Sequence, residues 1–393
     1  MAKQTEVEDR LYATMDKRVV QTHIIFRHGD RAPTANYFEG GVTRNIRNHS
    51  ANAETLFWQL QMPASRVCMQ LNTVAPISNS TMDQLKGSKN FPYGCLTMLG
   101  VNGSIRLGEK LRKRYVSLLE SLEHNSELVK ARATFYTRCV QTCQSFLVGF
   151  LNCATNKQTN NPFSSGVNIF VENPERAEDL TIPNLGQLCK IKFPGAFNIF
   201  KLCTKSTAEK IRSMPEVFGP LFEYYNKSLV NDKVVIQTFD YLKTHDSHNF
   251  VRPQALTASI PKYYSLVSST YWNFFWANSH KISAPLVKSI IENMSNRAST
   301  RTKVYLYSGH DTSVMATVTS VCKIFEAQNI FNVEDWPDYN SYVALELWCN
   351  ANNEEDVYIR CVYNDEESKF LPLSKFIAKF NENEKLPLKI ANL

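Results

Sequence analysis

The stretch "RVVQTHIIFRHGDRAPT", residues 18–34, decides how the rest of the chain is read. Its first nine residues are rich in β-branched and apolar side chains, which predicts a strand buried on both faces. That strand runs directly into Arg27, His28, Gly29, Asp30 and Arg31. A plain solvent turn is served by Asn, Gly and Ser. Two forked guanidiniums around one imidazole instead describe a place for an anion at a strand end.

Outward from this point, the pattern alternates. "ELVKA" (127–131), "VNIFVE" (167–172) and "KVYLYS" (303–308) read as strands, and "YVALELW" (342–348) with "VYIRCVY" (357–363) as a hairpin across an acidic turn. Between them lie helical patterns. Leu107, Leu111, Tyr115, Leu118 and Leu122 share one face, a second helix covers about 137–154, and Val314, Val318, Val321 and Phe325 line a third. "LPLSKFIAKF" is a terminal helix with Pro372 near its start. The fold class expected is α/β, a mostly parallel central sheet with helices on both faces. Residues 14–154 and 301–393 form its core, with 36–95 a loop-rich excursion and 155–300 a mainly helical inserted cap.

Composition narrows the function. The 393 residues are 43% hydrophobic and 21% charged, as in a globular protein. No apolar run approaches the ~18 residues of a membrane span. The net charge of +7 carries no Lys/Arg-rich run, which argues against a nucleic-acid partner and mildly favours anionic substrates. None of the ten cysteines forms a CxxC pair, so no zinc site is expected, although Cys349 and Cys361 flank the hairpin and are candidates to pair. Five Asn-x-Ser/Thr sequons matter only in a secreted protein. The N-terminal segment has no apolar h-region, and cytoplasmic or mitochondrial placement is expected over secreted or lysosomal.

Three charged clusters fall at predicted strand ends, where ligands sit in such sheets. In the first, Gly29 permits a sharp turn, and the flanking arginines push His28 toward the neutral imidazole that is a good nucleophile. The bland alternative is a surface turn with an incidental histidine. In the second, "SGHDTS" (308–313), His310 and Asp311 follow a strand and open a helix. His310 is suited to donate to a phosphate oxygen and Asp311 to give a proton to a leaving alcohol, against the alternative that Asp311 only caps the helix. His245-Asp246 repeats the dipeptide with no strand before it and is read as a loop. The third cluster offers Arg132 as a third guanidinium, the alternative being an exposed arginine.

RHGDRAPT and YSGHDTS together resemble the signatures of the histidine acid phosphatases, the larger branch of the histidine phosphatase superfamily. "RATFYTRCVQT" is similar to that family's segment with a central arginine, Arg132 and Arg138 keeping its spacing with Ala133 in place of serine, and "HNFVRP" (248–253) resembles a stretch near the substrate pocket. The likeness spans about Val19 to Phe376. Residues 85–116 look most like the type 6 lysophosphatidic acid phosphatase subfamily, although Asp30 stands where that subfamily has alanine. The cysteine-rich loop of extracellular members is absent from "NDEESKFLPLSKF".

The resemblance implies a metal-independent, cofactor-free phosphomonoesterase. His28 is the nucleophile and Asp311 the proton donor. Arg27, Arg31, Arg132 and His310 bind the phosphate, and Arg138 has a structural role. The partner is a small phosphomonoester, lysophosphatidic acid among the candidates. A phytase-type inositol polyphosphate phosphatase and a non-catalytic phosphoinositide-binding relative are the alternatives. Oligomeric state is left open.

Overall fold

The computed structural model describes residues 16–34, 51–78, 91–119, 126–151, 166–224, 232–249, 254–326, 331 and 335–390. Strand β1 (Lys17–Arg27) is buried from Gln21 onward. It lies between β4 (Val304–Gly309), which is parallel to it, and β5 (Tyr342–Asn350), which is antiparallel. β2 (Val129–Ala133) runs parallel to β4, and β3 (Ile169–Val171) parallel to β2. On the other side β6 (Asn353–Tyr363) pairs with β5, and the short β7 (Glu366–Glu367) and β8 (Leu371–Pro372) both pair with β6. The order β3-β2-β4-β1-β5-β6-β7 thus joins a parallel block to an antiparallel one. The mixed sheet with a parallel core is the expected α/β class.

On one face pack α3 (Met98–Arg114) and α4 (Thr137–Phe150), which follow α1 (Ala51–Gln61) and α2 (Ser65–Val74) in the chain. Thr97 caps α3 by accepting the Gly100 N–H at 3.1 Å. The two helices touch backbone to backbone. A Cβ on Gly108 would stand 2.1 Å from the Phe146 carbonyl oxygen, and one on Gly149 2.0 Å from that of Ile105. Gly108→Ala should therefore force the helices apart and cost about 1–3 kcal/mol, the scale of overpacking. A urea midpoint unchanged from wild type would contradict this contact.

The opposite face is covered by α5 (Pro194–Arg212), α6 (Asp232–Ser247), α7 (Ser259–Ile282), α8 (Ala284–Ser295), α9 (Asp311–Phe325) and α10 (Leu373–Glu384). Ile25, Tyr305 and Leu345 of the sheet share one continuous apolar cluster with Phe200, Leu242, Phe274 and Val318 of these helices. Among the described residues no helix is long and apolar enough to cross a membrane.

Several local expectations are corrected. The excursion at 36–95 contains two helices. The first is hard to see in the sequence because α1 exposes Leu56 and Leu60 while burying Trp58, which blurs the apolar stripe. The β5–β6 turn is Ala351-Asn352, and the acidic residues after it belong to the exposed start of β6, where Arg18 pairs with Glu354. His245 and Asp246 close helix α6 rather than sit in a loop. Cys349 stands opposite Val357 and Cys361 opposite Leu345, so the two are apart along the ladder, and both thiols are free. Leu122, residues 152–154 and residues 250–253 fall outside the described residues.

Candidate active site

β1, β4 and β2 are parallel neighbours, so their carboxyl ends meet at one edge of the sheet. The His28 N–H bonds to the Gly309 carbonyl at 2.9 Å and the Thr134 N–H to that of Ser308 at 3.1 Å. These contacts bring together segments that lie far apart in the chain. Gly29 turns the loop hard against α3: a Cβ there would lie 2.6 Å from the Gly100 carbonyl oxygen, and its N–H is held by the Thr142 hydroxyl of α4 at 3.0 Å.

His28 is 2% exposed. Its Nδ1–H donates to the Gly29 carbonyl at 2.9 Å, so the lone pair lies on Nε2. Burial, followed by the positive fields of Arg138, Arg31, Arg27 and His310, holds its pKa well below the ordinary histidine range. The neutral imidazole expected from the flanking arginines is thus maintained first by desolvation and only then by charge.

Arg27 lies on the ring of Tyr339, 4.2 Å from its centroid, donates to the Pro337 carbonyl at 2.6 Å and pairs with Asp311 at 3.2 Å. Arg31 pairs with half-buried Asp240 of α6, which also accepts the Thr34 N–H and hydroxyl at 2.9 and 3.0 Å. Against the upward push of burial, Arg31 holds the Asp240 carboxyl below the usual carboxylate range. Asp30 faces away from the cluster and accepts from Thr97, Ser247 and His248, the last at 2.7 Å. The signature loop is therefore fastened twice to α6 and the residue that follows it, through Asp240 and through Ser247 and His248.

His310 precedes α9 as its N-cap, its N–H held by the Ser313 hydroxyl at 2.9 Å. Its Nε2 lies 3.0 Å from the Thr134 hydroxyl and its Nδ1 3.4 Å from Arg138 Nη2. Asp311 opens the helix. Its Oδ2 accepts from Trp336 Nε1 at 3.3 Å and faces Arg27, while Oδ1 takes the Thr312 N–H at 2.8 Å. The carboxylate is thus more than a cap: one oxygen serves the helix and the other serves the cluster.

The arginine assignment is corrected. Arg27, His28, Arg31, His310 and Asp311 converge as expected, but Arg132 does not join them. β2 runs to Ala133, two residues beyond the predicted end, so Arg132 lies within the strand. It donates to the Thr181 hydroxyl at 2.6 Å and lies over Phe170, on the flank of the sheet toward β3. The third guanidinium is Arg138, in the first turn of α4. It is 8% exposed, stacks on Tyr136 at 4.4 Å, borders His310 and is the strongest charge acting on His28. Among the described residues no carboxylate lies within ion-pair reach of it, and its Nε has no hydrogen-bond partner. The signal was present in the sequence: the first helical turn after a strand reaches the strand ends, whereas a residue inside the strand does not.

A parallel-core α/β sheet with an imidazole set among three guanidiniums at its carboxyl edge defines an enzyme of phosphoryl transfer. The chain matches the model of the histidine phosphatase superfamily, branch 2, over residues 18–364, and it belongs to that family of phosphatase hydrolases. Among curated proteins it is similar to counting factor 60 of Dictyostelium discoideum, 22% identical over 85% of this chain and 77% of that protein. It is also similar to the lysosomal acid phosphatase of Xenopus laevis, 26% identical over 57% of this chain and 53% of that one. Among solved structures it resembles a phytase from D. castellii (16% identity, TM-score 0.55, 94% of this chain and 80% of that chain). A multiple inositol polyphosphate phosphatase of Bifidobacterium longum, in complex with inositol hexasulfate, is also similar (12%, TM-score 0.55, 96% and 95%).

Proposed function

We propose that the chain hydrolyses small phosphomonoesters through a phosphohistidine on His28, with a lysophosphatidate-like monoester as its preferred substrate class. The observation that carries the reading is Arg138, a buried guanidinium beside a neutral imidazole, with no carboxylate within ion-pair reach among the described residues. A phosphate dianion seated between His28 and Asp311 supplies its anionic partner.

His28 Nε2 attacks phosphorus and the P–O bond to the alcohol breaks, the leaving oxygen taking the Asp311 proton. Water then gives a proton to Asp311 and attacks phosphorus, which frees phosphate and restores neutral His28. Arg27, Arg31 and Arg138, with His310, hold the non-bridging oxygens and stabilise their charge in the transition state. Because these side chains supply the positive charge, EDTA should leave turnover intact, while inorganic phosphate or vanadate should compete with substrate. Loss of activity in EDTA, restored by a divalent ion, would overturn the metal-independent part of the reading.

The surroundings favour a single phosphate on an apolar body. Trp336, bonded to Asp311, packs on Phe239 and Tyr271 at 4.5 and 4.8 Å, so a leaving group departing past Asp311 meets aromatic surface. On the same side Asp246, Asp335 and Asp338 share the electrostatic field of Lys243 with Arg27. Those carboxylates oppose a polyanion such as inositol hexakisphosphate. The test is kcat/KM over lysophosphatidate, glycerol phosphate, phosphotyrosine and phytate. Phytate as the best substrate would replace this reading with the phytase-type one.

Asp311 gives a further expectation. An alkyl alcohol leaves poorly without a proton, whereas p-nitrophenolate does not need one. Asp311→Asn should lower kcat on an alkyl phosphate by about 10²–10⁴-fold, the range of general acid catalysis, and on p-nitrophenyl phosphate far less. Equal losses on the two substrates would assign Asp311 to positioning alone.

A further inference from the structure

The chain enters β5 through "WPDYNS", residues 336–341, and this short stretch is tied to the end of β1. The Ser341 carbonyl accepts the Arg27 N–H at 2.8 Å, and the His28 carbonyl accepts the Asn340 N–H at 3.4 Å. The Pro337 carbonyl accepts from the Arg27 guanidinium at 2.6 Å. Asn340 takes a left-handed φ of 63°, which asparagine tolerates, and its Oδ1 accepts the Ser104 hydroxyl of α3 at 2.9 Å. Tyr339 lies between these anchors, so the backbone delivers its ring to the cluster. The ring sits on the Arg27 guanidinium, 4.2 Å away, and 5.9 Å from the His28 ring with the planes tilted by 41°.

Stacking on Arg27 explains the ring but not the hydroxyl. Tyr339 is half-buried, and its hydroxyl makes no hydrogen bond among the described residues. It is not one of the polar atoms sealed from solvent, so it is open to a ligand. Burial pushes the phenol up to about 12, Arg31 and then Arg27 pull it back, and Asp30 and Asp240 push with burial. The group therefore stays a protonated donor at working pH, in the field of the two arginines of the signature loop. The two nearby carboxylates are already committed, Asp240 to Arg31 and Thr34, and Asp30 to Thr97, Ser247 and His248.

We propose that Tyr339 is a further phosphate-binding residue, its hydroxyl donating to a non-bridging oxygen of the phosphoryl group held by Arg27 and Arg31. This rests on the phosphohistidine reading of the site and adds to it an uncharged donor that does not titrate. Charge grows on that oxygen as phosphorus passes between His28 and the leaving group, so the hydrogen bond strengthens in the transition state.

Tyr339→Phe keeps the ring on Arg27 and removes only the hydroxyl, and its melting temperature should match that of wild type. kcat/KM should fall about ten- to a hundredfold, the range for a hydrogen bond to a charged acceptor. The phosphoryl group is common to all substrates, so an alkyl phosphate and p-nitrophenyl phosphate should lose equally, unlike the split expected for Asp311→Asn. The pH–rate profile should drop in height with its limbs in place. Calorimetric titration of the full chain with orthovanadate, which takes the shape of the phosphoryl transition state, should show affinity about tenfold weaker in the variant. The binding arm separates two failures. Wild type that binds vanadate more tightly than Tyr339→Phe yet turns over no phosphomonoester would overturn the phosphohistidine reading and uphold the contact. Active wild type with kcat/KM and vanadate affinity unchanged in Tyr339→Phe would overturn the contact alone. A loss confined to the alkyl phosphate would put the hydroxyl on the leaving group, and a shifted limb would make it act through a titrating neighbour. Either result would overturn the proposal.

Discussion

His28→Ala should lower turnover by roughly five to six orders of magnitude, the scale seen when a catalytic nucleophile is removed. Two features give the residue that weight. Its Nδ1–H is tied to the Gly29 carbonyl, which aims Nε2 into the cluster. Its depressed pKa keeps that nitrogen unprotonated in acid, where the leaving group's proton donor is best supplied. Acid quenching of wild type during turnover should trap phosphate on histidine, and the variant should trap none. A variant within a hundredfold of wild type would remove His28 from the nucleophile's role.

The same depression bears on stability. The folded protein keeps His28 neutral, whereas an unfolded histidine takes up a proton near its ordinary value of about 6.5. Below that pH the unfolded state binds more protons, so this residue contributes a loss of stability as pH falls toward the folded pKa. Urea unfolding should therefore show a shallower decline in stability from about pH 6.5 to about pH 4.5 in His28→Ala than in wild type. Parallel curves would mean that the imidazole titrates alike in both states.

The second large effect belongs to Arg138. Removing one preorganised donor to a developing charge costs about 2.7–4 kcal/mol, or 10²–10³ in rate. Arg138→Ala should lose at least this much in kcat/KM, because the guanidinium is buried, stacked on Tyr136 and set against both histidines' fields. The apparent affinity for inorganic phosphate should fall with it. Arg132→Ala should cost much less in phosphomonoester turnover, since its contacts are Thr181 and Phe170. The opposite ranking would put the third phosphate-binding arginine on β2 and break the site as described.

The contrast between these two arginines separates what local sequence determines from what packing decides. β-Branched runs ending in charge were enough to mark β1 and β4 as buried strands and to put His28 and His310 at their ends. Side-chain periodicity carries that information residue by residue. Strand ends carry less. β2 is amphipathic, its Lys130 and Arg132 facing one way and its alanines the other, so nothing in "KARATF" marks where pairing stops. The ladder with β4 sets the limit at Ala133↔Ser308, and that register sends Arg132 to the flank and Arg138 to the centre. Likewise no sequence pattern links Arg31 to Asp240 or Asp30 to His248, which are 209 and 218 positions apart, or Asp311 to Trp336, 25 apart, because no local periodicity reaches across such intervals. The buried imidazole and two of the guanidiniums around it were written in eleven consecutive residues, "IIFRHGDRAPT". The third arginine and the carboxylates that hold the cluster in place were settled only when parallel strands brought their carboxyl ends together and α6 packed beside them.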